Sequence, residues 1–318
     1  MSDIETQPAP RRTTGVPCQE GAVMLAAKPF TGLDGPLAVA RWLAAREERG
    51  LHVVSVLEHN DTLALAAGIP PLPDRYYAEE RDALAAQITR DLARHEGRAE
   101  VPQVEIVDGP SAPGVVDAAQ RCSARVIVIG TGTHDPVGRY VYGERALEIV
   151  SIADRPVLIV PREATAASVS VAVVAVDFSP ASVRAARAVL PMLSQGGRLI
   201  LVHVKPAIGR REESSGWWND AYERRCADLF AQFQRQLPAI PRISVETKFF
   251  RGDAVRTLLE YATTCNAGII ACGRLSHSLM ARIFVGSVSS ALVRQATCPV
   301  LVAPELSGDV MAPQPSQA

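Results

Sequence analysis

Gly273-Arg-Leu-Ser276, nine intervening residues, then Gly286-Ser287-Val288-Ser289 and Cys298-Pro299-Val-Leu-Val-Ala-Pro304: this stretch decides how the chain reads. A shift of 143 residues finds its echo, because Gly130, Gly143, Pro156 and Pro161 stand opposite Gly273, Gly286, Pro299 and Pro304. Gly109 stands opposite Gly252 at the same offset. The chain is therefore read as a tandem duplication. Its copies diverge at one telling position, with Glu144 where the second copy has Ser287.

Outward from this stretch, short β-branched runs alternate with segments of helical periodicity. Strands are predicted over 169–176, 199–204, 243–250, 269–272 and 300–303, with helices over 181–193, 217–236, 254–264 and 288–295. The first half repeats the strands at 22–27, 51–57, 101–107, 126–129 and 157–160. Such alternation predicts an α/β fold of two tandem doubly wound domains, each with a five-stranded parallel sheet. The domains are placed at 21–163 and 168–304, joined by a linker at 164–167. Polar, proline-containing tails at 1–20 and 305–318 are read as disordered.

Open sheets of this type bind ligands beyond the carboxyl ends of their strands. Asp177 follows the first strand of the second copy, Val204 ends the next, and Gly273 follows the fourth. Gly286 and Ser287 precede the last helix. Its first-turn N–H groups suit phosphate oxygens, and the hydroxyls of Ser287 and Ser289 could add contacts. The loop from Gly273 to Gly286 also carries Arg274, His277 and Arg282 as sources of positive charge. Each feature has a plainer reading: Asp177 or Ser179 as a helix cap, and Gly286-Ser287 as a tight turn. Together at one sheet edge they point to a nucleotide.

Residues 168–304 resemble a universal stress protein domain, whose ATP-binding members carry G-x2-G-x9-G-[ST] before the last helix. The resemblance rests on Asp177-Phe-Ser, His203-Val204, Gly252-Asp253, the Gly273–Ser289 loop and Cys298-Pro-Val-Leu-Val. It implies a fold of the adenine nucleotide alpha hydrolase-like, HUP type. Asp177 and Val204 would contact adenosine, with Cys272 and Gly273 beside it. Ser276, Gly286, Ser287, Val288 and Ser289 would line the ribose and phosphates. Ser276 departs from the pattern by replacing its second glycine. The resemblance further implies ATP or another adenine nucleotide as ligand, with Mg2+ accompanying the triphosphate. It also implies pairing of the last strands of the two domains into an intrachain pseudo-dimer covering both edges, with a further homodimer possible.

The first copy resembles the family in layout but not in site. Lys28-Pro29 stands in the place of Asp177, Thr133 replaces the second glycine, and Glu144 replaces the serine. A carboxylate at the loop mouth would repel phosphate while suiting a helix N-terminus. This copy is expected to be structural or regulatory, with no triphosphate bound in the family's manner. The leading function is then an ATP-binding stress-response sensor or regulatory module. The alternatives are an interaction module of the same fold without nucleotide, or an enzyme that uses ATP to activate a substrate.

Other classes fall away. With 33 basic and 34 acidic residues, the net charge of −1 offers no electrostatic case for nucleic acid or an anionic membrane. No apolar run approaches a bilayer span, and Met1-Ser-Asp-Ile-Glu has no signal character, so the expected location is cytoplasmic. The six cysteines, Cys18, Cys122, Cys226, Cys265, Cys272 and Cys298, show no paired metal spacing and are expected to be reduced. There is no P-loop, no H-x3-H pair and no nucleophile elbow. With no evident general base, any hydrolysis should be slow. His203 reads as a satisfied core residue. Trp217-Trp218 reads as core packing or as a lid or partner contact.

Overall fold

The computed structural model describes residues 15–29, 32–58, 74–94, 101–131, 136–165, 169–205, 216–274 and 286–305; for 74, 136–143 and 216–221 only the backbone is described. Ser276, His277, Arg282 and Thr133 lie outside the described residues, as do the side chains of Trp217 and Trp218. The first half runs β1 (Val23–Ala26), α1 (Asp34–Arg46), β2 (Leu51–Leu57), α2 (Asp74–Ala93), β3 (Val104–Asp108), α3 (Ser111–Arg121), β4 (Val126–Gly130), α4 (Pro136–Ile152) and β5 (Val157–Val160). The second runs β6 (Val169–Ala175), α5 (Pro180–Val189), β7 (Leu193–Lys205), α6 (Gly216–Arg235), β8 (Ser244–Arg251), α7 (Ala254–Thr264), β9 (Ile269–Gly273), α8 (Ser287–Gln295) and β10 (Val300–Ala303).

All ten strands form one sheet in the order β3-β2-β1-β4-β5-β10-β9-β6-β7-β8. Within each half the neighbours are parallel. At the centre β5 and β10 pair antiparallel, Leu158 opposite Leu301, so the last strands join as the resemblance implied. The edges covered are the inner ones only. β3 and β8 form the outer edges, and β8 carries Glu246, Lys248 and Arg251, charges that discourage edge-to-edge pairing.

Strand alternation builds two cores rather than one per domain. Val23 and Leu25 face one side of the sheet with Val174, Leu201 and Leu301, under α1, α2, α5 and α6. Met24 and Ile127 face the other with Val173, Ile200 and Val302, under α3, α4, α7 and α8. Each apolar layer therefore crosses the junction between halves.

Arginine side chains tie the halves together more specifically. Arg46, in the last turn of α1, donates to the carbonyls of Pro191 and Leu193 at 2.5 and 2.6 Å. Arg274 donates from Nη1 to the carbonyls of Val150, Ser151 and Ala153 at 2.5, 2.6 and 3.1 Å. These are free carbonyls at the end of α4, where positive charge also meets the negative end of the helix dipole. Arg274 is thus committed to the other half and does not serve the phosphate loop as the sequence suggested.

Two further expectations are corrected. The helix predicted over 181–193 ends at Val189, followed by a 3-10 turn at Leu190–Met192. Pro191 lacks an N–H and its ring opposes the preceding turn, so the α-helix cannot continue. β7 then begins early, at Leu193, with a register shift opposite Val169 and Val171 and with Gly196 at φ +79. Cys18 and Cys122 are joined by a disulfide across 104 residues rather than both being free thiols. The segment before β1 and the end of α3 meet at the amino-terminal side of the sheet, where Gly21 N–H donates to the Cys122 carbonyl at 2.9 Å. Residues 15–20, assigned above to the tail, are anchored there through Cys18.

Candidate functional site

The second half has a cleft of about 350 Å³ above the carboxyl ends of β6, β7 and β9, a size ordinary for a small-molecule site. It is lined by Asp177, His203, Val204, Cys272, Gly273 and the turn Gly286–Ser289, together with Ala254 and Leu258 of α7. Eight of the nine residues singled out from sequence therefore converge; the ninth, Ser276, is outside the described residues.

Three local features make the site. The first is the turn after β6. Phe178 takes φ +63, a conformation uncommon outside glycine, and its ring packs against His203 and Phe230 at centroid distances of 4.8 and 5.1 Å. Asp177, exposed at this turn, accepts from Ser179 N–H at 3.0 Å and from Ser179 Oγ at 2.6 Å through the same oxygen, Oδ1. Ser179 in turn caps α5, its Oγ accepting from Ser182 N–H at 3.2 Å. The cap is therefore Ser179, and Asp177 orients it. Among the described residues Oδ2 of Asp177 has no hydrogen bond.

The second feature is Gly273. A Cβ there would come within 2.7 Å of Ala181 Cβ and 2.8 Å of the Ala181 and Ser182 backbone. Glycine is needed because α5 starts against the end of β9. This close approach is to the protein's own helix.

The third is the start of α8. Gly286 is the N-cap and supplies no side-chain acceptor for the first-turn N–H groups. Ser287 is exposed at the mouth, whereas Ser289 is 3% exposed and its hydroxyl donates to the Gly286 carbonyl at 3.0 Å. Of the two serine hydroxyls, Ser287 is the one placed outward.

His203 is satisfied, as the sequence reading had it, but it also walls the cleft. The Val176 carbonyl, 2.7 Å from Nδ1, can only accept, so Nδ1 carries the proton. Nε2 then accepts from the Tyr222 hydroxyl at 3.0 Å. Burial lowers the pKa of His203, outweighing the opposing pull of the carbonyl and of Asp177, so the ring is neutral. Burial, reinforced by the charge of Asp177, pushes the Cys272 thiol up to about 12, so it lines the cleft as an inert thiol. Sequence reasoning missed Ala254 and Leu258; the Gly252-Asp253 turn was their signal. Asp253 caps α7 by accepting from Arg256 N–H at 2.8 Å, which sets that helix against the cleft.

The first half has its own cleft, about 250 Å³, lined by Lys28, Ser55, Glu58, Gly130 and Arg145 among others. Strand register confirms the match of Lys28 to Asp177. Leu25 pairs with Val128 as Val174 pairs with Ala271, and three residues beyond Leu25 and Val174 stand Lys28 and Asp177. Glu144 is not where the sequence put it. It is outside the cleft lining and accepts from Arg294 Nη2 of α8 at 2.6 Å, drawn across the junction where α4 packs on α8. Among the described residues the carboxylate lining this cleft is Glu58, which accepts from Ser111 N–H at 3.1 Å and pairs with Arg145 at 3.7 Å.

Comparison with known proteins agrees with this fold. A model of the universal stress protein family matches residues 31–161 and again 170–304. A universal stress protein of Mycolicibacterium smegmatis is 27% identical over 203 residues, covering 63% of this chain and 68% of that protein. A universal stress protein structure from Archaeoglobus fulgidus aligns over 90% of this chain and 97% of its own, with 17% identity and a TM-score of 0.57. A functionally unknown protein from Pseudomonas aeruginosa PAO1 aligns over 90% and 92%, with 15% identity and a TM-score of 0.55. At these identities the two structures speak to the fold alone.

Proposed function

The chain belongs to the universal stress protein family, and from that premise we propose that its second domain binds an adenine nucleotide, ATP first among them, as a stress-response sensor or regulatory module. One observation carries the reading: the glycine-capped start of α8 opens onto an apolar-walled cleft with the Asp177 carboxylate at its rim. The first-turn N–H groups of Ser287 and Val288 suit phosphate oxygens, and Ser287 can add its hydroxyl. Val204, Leu258 and Val288 give an adenosine moiety apolar contact, while Asp177 Oδ2 is a hydrogen-bond acceptor for a ribose hydroxyl or an adenine amino group.

A divalent cation fits this site only as a companion of the ligand. Mg2+ draws most of its oxygens from phosphates and water, and the described cleft residues offer it one carboxylate, Asp177. The cleft supports binding better than turnover. Among its described titratable groups, His203 has both nitrogens engaged, Cys272 remains a thiol, and the carboxylate of Asp177 is assigned to the adenosine moiety. Denaturing the purified protein and analysing the released small molecules by mass spectrometry tests the proposal. Wild type should release adenine nucleotide, and Asp177→Ala and Gly286→Val should not. Turnover of ATP well above a slow background would favour an enzyme. Absence of nucleotide, with no binding on titration with Mg-ATP, would leave an interaction module.

A further inference from the structure

At the opposite end of the first domain's sheet, three side chains of metal-ligating chemistry meet. Cys18 Sγ, Cys122 Sγ and a ring nitrogen of His52 all lie within 4.8 Å of one another. They arrive from the segment before β1, the C-cap of α3 and the second residue of β2. Cys122 and His52 are buried, at 3% and 4% exposure.

What stands behind His52 is more informative than the cluster itself. Its Nε2 lies 2.6 Å from Oε2 of Glu105, a carboxylate 3% exposed on β3. The other oxygen of Glu105 accepts from Arg121 Nη2 at 2.5 Å. A carboxylate so paired only accepts, so Nε2 donates in that bond and Nδ1 is the ring nitrogen left for a ligand. A carboxylate fixing the tautomer of a buried imidazole is the arrangement that supports metal-ligating histidines. A disulfide alone gains nothing from a histidine at its sulfurs, while burying the His52–Glu105 pair has a desolvation cost.

We propose that Cys18, Cys122 and Nδ1 of His52 form a site for a thiophilic divalent cation of the zinc class, and that the disulfide is its oxidised, metal-free form. Reduction by a dithiol breaks the S–S bond, gives two thiols and leaves the reductant as a disulfide. The cation then displaces the two thiol protons, and two thiolates and one imidazole give an uncharged site, with a fourth position open to water. In reverse, a peroxide takes two electrons from the thiolates and two protons from solvent. It leaves as water, the S–S bond re-forms and the cation is released. Glu105 is a positioning residue. Metal or disulfide would each hold residues 15–22 against α3, and only the metal would make that hold depend on cation supply.

The test is cobalt titration of the full-length chain under anaerobic conditions, in reduced and oxidised forms. The reduced chain should bind one equivalent, with thiolate-to-cobalt charge-transfer absorption, and the oxidised chain none. Cys18→Ser and Cys122→Ser should each lose the wild-type band, while Cys265→Ser and Cys298→Ser keep it. Glu105→Gln should keep the band with affinity weakened about 10–100-fold. Circular dichroism checks that each variant is folded, and Cys18, in the segment outside the sheet, is the substitution least able to disturb it. Absence of a sulfur band in the reduced wild type, or a band that survives in folded Cys18→Ser, would overturn the proposal.

Discussion

The two clefts of this chain lie above equivalent strands, yet they present opposite charges to a ligand. At one structural position the first has Lys28 and the second Asp177; at another the first has Ser55 and the second His203. The first cleft adds Arg145 and Glu58, which pair with each other, and burial lowers the pKa of Lys28, with Arg145 reinforcing and Glu58 opposing. The second has the open start of α8. Topology fixes where a cleft lies, whereas a few side chains at its rim decide what enters it.

The halves also differ in what they do for each other, and here the largest effect is expected. Arg274 reaches into the first half to hold the end of α4, whereas its counterpart by offset is the short side chain of Thr131. Arg274→Ala should lower the unfolding free energy by ~1.5–3 kcal/mol, the scale of a charged group's hydrogen bonds to partners left buried. Thr131→Ala should be close to neutral. Equal losses in chemical denaturation would break the asymmetry.

Next comes a pH dependence confined to the second half. The folded pKa of His203 lies below its ordinary value of 6.5 because of burial. Between the two values the unfolded chain binds more protons, so this contribution is present above the unfolded pKa and is lost as pH falls toward the folded one. Denaturation midpoints should therefore fall on acidification through that window, and His203→Asn should flatten the fall. A slope unchanged by His203→Asn would assign it to other groups. Smallest is Glu144→Ser. It removes an exposed ion pair with Arg294, about 0–1 kcal/mol, and should not confer nucleotide binding on the first cleft, because Lys28 and Arg145 remain. A titration that finds a second nucleotide in Glu144→Ser would contradict that.

Much of this was legible in the sequence because buried parallel strands announce themselves as β-branched runs. 51–57, 157–160 and 300–303 coincide with β2, β5 and β10. The divergence of the copies at Lys28 and Asp177 was legible too, since strand ends carry the site. What was not legible depends on long-range direction. Arg274 is adjacent to Gly273 in sequence, but its side chain finds three carbonyls more than 120 residues away. Glu144 follows a glycine at a loop mouth, but α8 offers it Arg294. Cys18 and Cys122 show no spacing signal because a turn before one strand and a helix end before another bring them together. His203 reads as an apolar-run histidine, and only the carbonyl of Val176 and the ring of Tyr222 reveal it as a polar wall of the cleft.

The central prediction is one nucleotide per chain, held in the second domain. Isothermal titration of the nucleotide-free, full-length chain with Mg-ATP measures that number directly. The predicted result is a stoichiometry of one, abolished in Asp177→Ala and unchanged in Lys28→Ala. A stoichiometry of two, or binding lost in Lys28→Ala and kept in Asp177→Ala, would contradict it.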